Sequence, residues 1–157
     1  MNLYIDRPSN WDAWDVDYDY EEMLVQTLSA NSASQVQRGE VLSSLEFSYQ
    51  FSNSSFNQKI SLAHNSKLLN FKNTANWHEK HKMLRAAFKT NLHGASASFD
   101  IQYGYVQRPT HRNTSWDLAK FETVAHKYAD LSTHDYGVAL LNDCKYGHKL
   151  FDDVIDL

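Results

Sequence analysis

ASASFDIQYGY, residues 95–105, sets its apolar and aromatic side chains at 95, 97, 99, 101, 103 and 105. Ser96, Ser98, Asp100, Gln102 and Gly104 take the other register. Alternation with a period of two is the signature of a half-buried strand, because successive side chains of a strand point to opposite faces, whereas a helix repeats every 3.6 residues. The run leads into VQRPTHRNTSWDLAKFETVAH, residues 106–126, where Pro109 fixes a backbone torsion and withholds a donor. A connecting turn needs only Gly, Asn or Pro, yet this loop carries Arg108, His111, Arg112 and Asn113. Two readings stand at this point. Either Arg108 or Arg112 pairs with Asp117 and Asn113 caps a turn, or the loop contacts a ligand.

Working outward, the same period recurs. Leu45, Phe47, Tyr49 and Phe51 alternate with Glu46, Ser48 and Gln50, and Ile60, Leu62 and His64 resume the pattern after NSSFNQK, predicting a hairpin across 52–57. Leu68–Phe71 follows HNSK and predicts a third antiparallel strand. Tyr136, Val138 and Leu140 predict another before the turn formers of NDCKYG. The segments at 76–88 and 116–128 fit a helix or a strand, and 21–40 is rich in Ser, Asn, Ala and Gln. The pattern as a whole predicts an all-β fold in which antiparallel sheets face each other and bury one side of each strand.

Composition bounds the function. The 157 residues suit one domain, and the net charge of -4, from 15 basic and 19 acidic residues, supplies no general field for nucleic acid. No apolar run is long enough to span a bilayer. The one cysteine, Cys144, has no internal partner, and MNLYIDRPSN has neither a basic leader nor an apolar signal core, so a cytoplasmic location is expected. In DRPSNWDAWDVDYDY, residues 6–20, Trp11 and Trp14 sit among Asp12, Asp15, Asp17 and Asp19. The indoles fit an anchor that packs the incoming segment, 1–20, against a sheet over 21–157, or a platform for the apolar face of a sugar.

Catalytic motifs are scarce. His78 and His81 are three apart, not the four that put two imidazoles on one metal from a helix, and on a strand they point to opposite faces. Lys145 beside Cys144 is a candidate for lowering its thiol pKa, and Glu122 meets His126 only if that stretch is helical. There is no GxSxG elbow, phosphate loop, dinucleotide fingerprint or CxxC. No spacing selects a pair of carboxylates for glycoside chemistry.

Six longer motifs carry a resemblance. DRPSNWDAWDVD (6–17), HNSKLLNF (64–71), NWHEKHKML (76–84), IQYGYVQRPTHRNTSWDLAKFE (101–122), AHKYADLS (125–132) and YGVALLNDCKYG (136–147) resemble, in order, the C-terminal all-β part of family 38 glycoside hydrolases, the α-mannosidases. The resemblance implies a large β-sandwich of the mutarotase-like type, incomplete here. It also implies a retaining, metal-dependent hydrolysis of α-mannosides in which the aspartate nucleophile and the zinc belong to a catalytic barrel outside this chain. On that likeness the chain itself carries no catalytic residue, metal or cofactor. Arg108, His111, Arg112, Asn113 and Asp143 are candidates for the rim of the sugar cleft, and Trp11, Asp12, Trp14 and Asp15 mark the motif where the chain comes into the sandwich. The partners implied are the barrel, on the same or a companion chain, and an α-mannoside, with self-association through uncovered sheet edges. A carbohydrate-binding module and a purely structural or oligomerisation domain are the alternative readings.

Overall fold

A computed structural model describes residues 1–11 and 14–157. In chain order, β1 (Asn2–Ile5) is followed by a 3-10 helix (Tyr18–Glu22), β2 (Leu24–Thr27), β3 (Ser32–Arg38), β4 (Leu42–Phe51), β5 (Ser54–Ala63) and β6 (Leu69–Asn76). Then come β7 (Lys82–Arg85), β8 (Ala87–Lys89), β9 (Ser96–Ile101) and β10 (Gly104–Pro109). A single helical turn, α1 (Ser115–Leu118), precedes β11 (Thr123–Val124), β12 (Tyr128–Ser132), β13 (Gly137–Leu141), β14 (Gly147–Phe151) and β15 (Val154–Asp156). The strands form antiparallel sheets ordered β2-β1-β7, β3-β4-β5-β6, β10-β9-β12-β13 and β11-β14-β15-β8. The fold is all-β, of the sandwich type.

Two apolar cores result. One is Ala97, Phe99, Ala129 and Leu131 of β9 and β12 against Ala125, Ile155 and Leu150. The other is Leu3 and Leu28 with Leu84 against Phe51 and Phe56. The segment over 1–20 thus contributes a strand: β1 pairs with β2 on one side and β7 on the other, and Leu3 is buried.

The hairpin of β4 and β5 turns at Ser52 and Asn53, since Phe51 opposes Ser54, and β6 continues the sheet with Ile60 opposite Phe71. Residues 82–89 are extended, which resolves the helix-or-strand ambiguity of that segment, and β7 and β8 belong to different sheets. Over 116–128 the chain is a mixture of α1, an irregular stretch and β11.

The alternating run at 95–105 is two strands rather than one. Ile101 pairs with Gly104 across a two-residue turn in which Tyr103 adopts a left-handed φ of 62°. Because partners in such a hairpin differ by an odd number, the face inverts: Phe99 points to the core with Val106, while Tyr105 pairs with Asp100 on the outer face. The periodicity in sequence passes through the turn unchanged, and the burial does not.

Candidate functional site

Where the two cores meet, a charge network crosses the seam. Arg85, at the end of β7 and 4% exposed, places Nη1 2.9 Å from Glu122 Oε1 and Nε 3.1 Å from Asp156 Oδ1, and Nη2 donates to the Asp156 carbonyl at 3.3 Å. The Tyr20 hydroxyl donates to the same Glu122 oxygen at 2.6 Å. Lys149 of β14 bridges Asp156 Oδ2 and Glu21 Oε1, each at 3.3 Å. Arg112 closes the set with a two-pronged bond to Glu21, at 2.9 and 2.6 Å, and its guanidinium stacks 4.7 Å over the Phe151 ring. Three cations therefore face three carboxylates around the Tyr20 ring, which takes Arg85 and Lys149 at 5.6 and 5.2 Å and the edge of Tyr4 at 5.4 Å. Balanced, hydrogen-bonded charge is the form in which such groups survive burial.

Burial pushes the Tyr20 hydroxyl far above the ordinary phenol range, with the Glu122 charge adding to it. Burial also raises Glu122 above the carboxylate range, against the pull of Arg85. At Glu21 burial acts upward, but the fork of Arg112 and the charge of Lys149 outweigh it and hold the carboxyl low. With Tyr20 2% and Arg85 4% exposed, the cluster offers a substrate no approach to either. It is a lock between sheets.

This lock fixes the RPTHRN loop. Arg112 pairs with Glu21, not with Asp117. His111 Nδ1 lies 3.6 Å from Asp117 instead. Thr114, rather than Asn113, caps α1, in a reciprocal box with Asp117. Asn113 is exposed, and the half-buried Arg108 makes no ion pair among the described residues. Asp143 belongs to a different place. The backbone of Thr110 accepts from Asp152 beyond one end of β14, whereas NDCKYG enters β14 at the other, so the loop and Asp143 flank opposite ends of that strand. Trp11 and Trp14 lie on the surface, 75% and 89% exposed, instead of packing against a sheet. The reason is local: Trp11 has a φ of 59°, its carbonyl accepts from Trp14 and Asp15, and Asp17 ties back to Ser9, so the segment curls on itself. Asp15 is exposed and Asp12 lies outside the described residues.

The NDCKYG loop is built around Asn142 and His148. The Asn142 carbonyl oxygen accepts from the amides of Cys144 and Lys145 at 3.0 and 2.6 Å. Its amide nitrogen faces His148 Nε2 at 3.4 Å, while Nδ1 of that fully buried ring donates to the Tyr146 carbonyl at 3.2 Å. One nitrogen donating and one accepting describes a neutral imidazole. Burial, with Arg85 adding to it, holds His148 below its ordinary value of 6.5. The unfolded chain therefore takes up a proton before the folded one does, and stability is full above 6.5 and lost as pH falls below it. Denaturation at pH 7 and pH 5 is expected to give a smaller loss on acidification for His148→Gln than for the unsubstituted chain. Equal losses would refute a buried neutral histidine. At Cys144 the neighbouring Asp143 takes the thiol hydrogen bond and pushes the thiol up, overriding Lys145, so no activated nucleophile forms.

Nor do the histidines assemble a metal site. Glu79 accepts from Lys82, Ser54 and the Asn53 amide, and His81 occupies a turn with a φ of 53°. Among the described residues no three His, Cys, Asp or Glu side chains gather as ligands would. Glu122 and His126 part as well, Glu122 to Arg85 and His126 to the edge of the Tyr146 ring.

All 157 residues match the family described as "Glycosyl hydrolases family 38 C-terminal domain". This chain belongs to that family. Among relatives of the family 38 domain, Alpha-mannosidase 2C1 of Homo sapiens is 41% identical over 157 residues, covering 99% of this chain and 15% of the relative. Alpha-mannosidase G of Dictyostelium discoideum is 41% identical over 153 residues, 94% of this chain and 14% of the relative. Alpha-mannosidase of Saccharomyces cerevisiae is 35% identical over 164 residues, 99% and 15%. The chain thus spans about 15% of the length of the curated relatives it matches. The crystal structure of an alpha-mannosidase from Enterococcus faecalis V583 shares the fold, with a TM-score of 0.71 at 15% identity over 86% of this chain and 19% of that one.

Proposed function

We propose that the family 38 domain described here is the non-catalytic β-sandwich portion of a retaining, metal-dependent α-mannosidase, supporting a catalytic barrel and lending a loop to the rim of its sugar cleft. The observation that carries this reading is the match of residues 1–157, end to end, to the C-terminal domain of a glycosidase family whose members are several times longer. The seam network supports the same reading. It holds the RPTHRN loop from behind, through Arg112, Glu21 and Phe151, and leaves His111 and Asn113 on the surface. Fixing a loop from its buried side while presenting its polar side is how a rigid scaffold positions groups for a site it does not itself contain. A surface for the rest of the enzyme is also in keeping with the strands: the apolar face that is buried at Phe51 and Phe56 continues along β4, β5 and β6 to Leu45, Leu62 and Leu69, each roughly half exposed.

Among the described residues His78, His81 and Glu79 are not disposed as zinc ligands, and no step of the reaction is assigned to zinc here. The chain, supplied with zinc and an activated aryl α-mannoside, is expected to give no turnover above the buffer rate, because glycoside hydrolysis requires a positioned pair of carboxylates on either side of the bond. Turnover abolished by replacing one of its own acids would overturn the proposal.

A further inference from the structure

The outer face of the β10-β9-β12-β13 sheet carries an open hollow. Tyr105 of β10 and Tyr128 of β12 stand on strands two places apart, about 10 Å, with β9 between them. In the neighbouring row Ser98 lies opposite Asp130, and Asp130 opposite Ala139. Because Ser98 and Ala139 are small where Tyr105, Tyr128 and Leu141 are large, the pleated surface sinks into an open hollow of about 430 Å³ lined by these six residues. Tyr105 and Leu141 are 60% and 62% exposed, and this face is not part of either core.

We propose that this hollow binds a neutral pyranose, as a sugar-binding subsite separate from the RPTHRN loop. The lining decides the class of ligand. No Lys, Arg or His borders the hollow, and Asp130 brings a negative charge, so an anion such as phosphate is repelled. A purely apolar occupant would desolvate the Asp130 carboxylate without pairing it, which is costly. A sugar ring satisfies both requirements, because its C–H face packs on an aromatic ring and its hydroxyls donate to a carboxylate. Among the described residues Asp130 accepts only the Ser132 hydroxyl, at 2.9 and 3.0 Å, and a carboxylate has about four lone-pair sites, so acceptor capacity remains. The Ser98 and tyrosine hydroxyls supply donors and acceptors of either sense. The choice of a sugar over a small organic cation, which tyrosines and a carboxylate also attract, rests on the reading that this domain serves a mannoside hydrolase.

The test is an NMR titration of the 157-residue chain with methyl α-mannoside and an α-linked mannobiose, with methyl α-glucoside and tetramethylammonium run beside them. The expected result is saturable, millimolar-range shifts clustered at Ser98, Tyr105, Tyr128 and Asp130. Tyr128→Ala and Asp130→Asn should each weaken binding by at least about tenfold. Both residues are half-buried on the outer face rather than in either core, and an unchanged thermal midpoint verifies the fold. Shifts confined to His111 and Asn113 overturn this site while favouring the cleft-rim reading. Saturation by tetramethylammonium alone, or no sugar shifts with a folded chain, overturns it as well. Hydrogen exchange on a barrel-bearing relative separates the last possibility: a face covered there by polypeptide is not a sugar site, whatever becomes of the cleft-rim reading.

Discussion

Replacing Arg85 with methionine is expected to lower the unfolding free energy by about 3–5 kcal/mol, the usual loss when one partner of a buried ion pair is removed. Methionine keeps much of the volume of the side chain, so the loss measures charge more than packing. Without the guanidinium, Glu122 and Asp156 face the interior with the Tyr20 hydroxyl and Lys149 as their remaining partners. Against the 5–15 kcal/mol typical of a whole domain, that is a large share. Urea denaturation of the variant measures it directly. Changing Arg85→Met together with Glu122→Gln and Asp156→Asn should recover part of the loss, because neutral amides do not require a cation. A single-variant loss below about 1 kcal/mol, or a triple variant no better than the single, would show that the seam is not held by these charges.

The network also explains what was legible in the sequence and what was not. The β4-β5-β6 meander was readable because each strand alternates and turn formers bound it, and pattern and burial agree at Phe51 and Phe56, whereas the same apolar face stays roughly half exposed at Leu45, Leu62 and Leu69. The 95–105 run misled by one detail of geometry: the two-residue turn at Gln102 and Tyr103 inverts the face without disturbing the alternation, moving Tyr105 from the expected core side to the outer hollow. The seam gave no signal at all. Tyr20 and Glu122 are 102 residues apart, Arg112 and Glu21 are 91, and Arg85 and Asp156 are 71, and no local period encodes a partnership at such separations. Arg112 was visible as a loop residue out of proportion to a simple turn, but its partner lay in a 3-10 helix that sequence left open. Trp11 and Trp14 show the opposite error, where residue type suggested packing and the backbone at Trp11 turned the chain away.

Some loop residues are positioned from behind and others face outward, and that division sets up a pair of variants with opposite signatures. Arg112→Ala removes a two-pronged charged bond to Glu21 and the stack on Phe151, and is expected to cost about 1.5–3 kcal/mol of stability, seen as a lower thermal midpoint. Part of that cost depends on pH. Arg112 is one of the two cations that hold Glu21 low, so the unsubstituted chain has this stabilisation above the ordinary carboxylate range and loses it as the solution is acidified through the depressed value of Glu21. The difference between the two proteins should therefore shrink at low pH. His111→Ala removes a ring whose one contact of note is 3.6 Å from Asp117 and which stands 44% exposed, so its midpoint should scarcely move. In a polypeptide that carries both this domain and a catalytic barrel, His111→Ala is expected to lower kcat/KM by about 1 kcal/mol or more of transition-state stabilisation, if His111 rims the cleft as proposed. Arg112→Lys, which keeps the charge and loses the fork, should fall between the parent and the alanine variant in midpoint. A midpoint unmoved by Arg112→Ala would detach the loop from the seam, and kinetics unmoved by His111→Ala would remove that residue from the cleft.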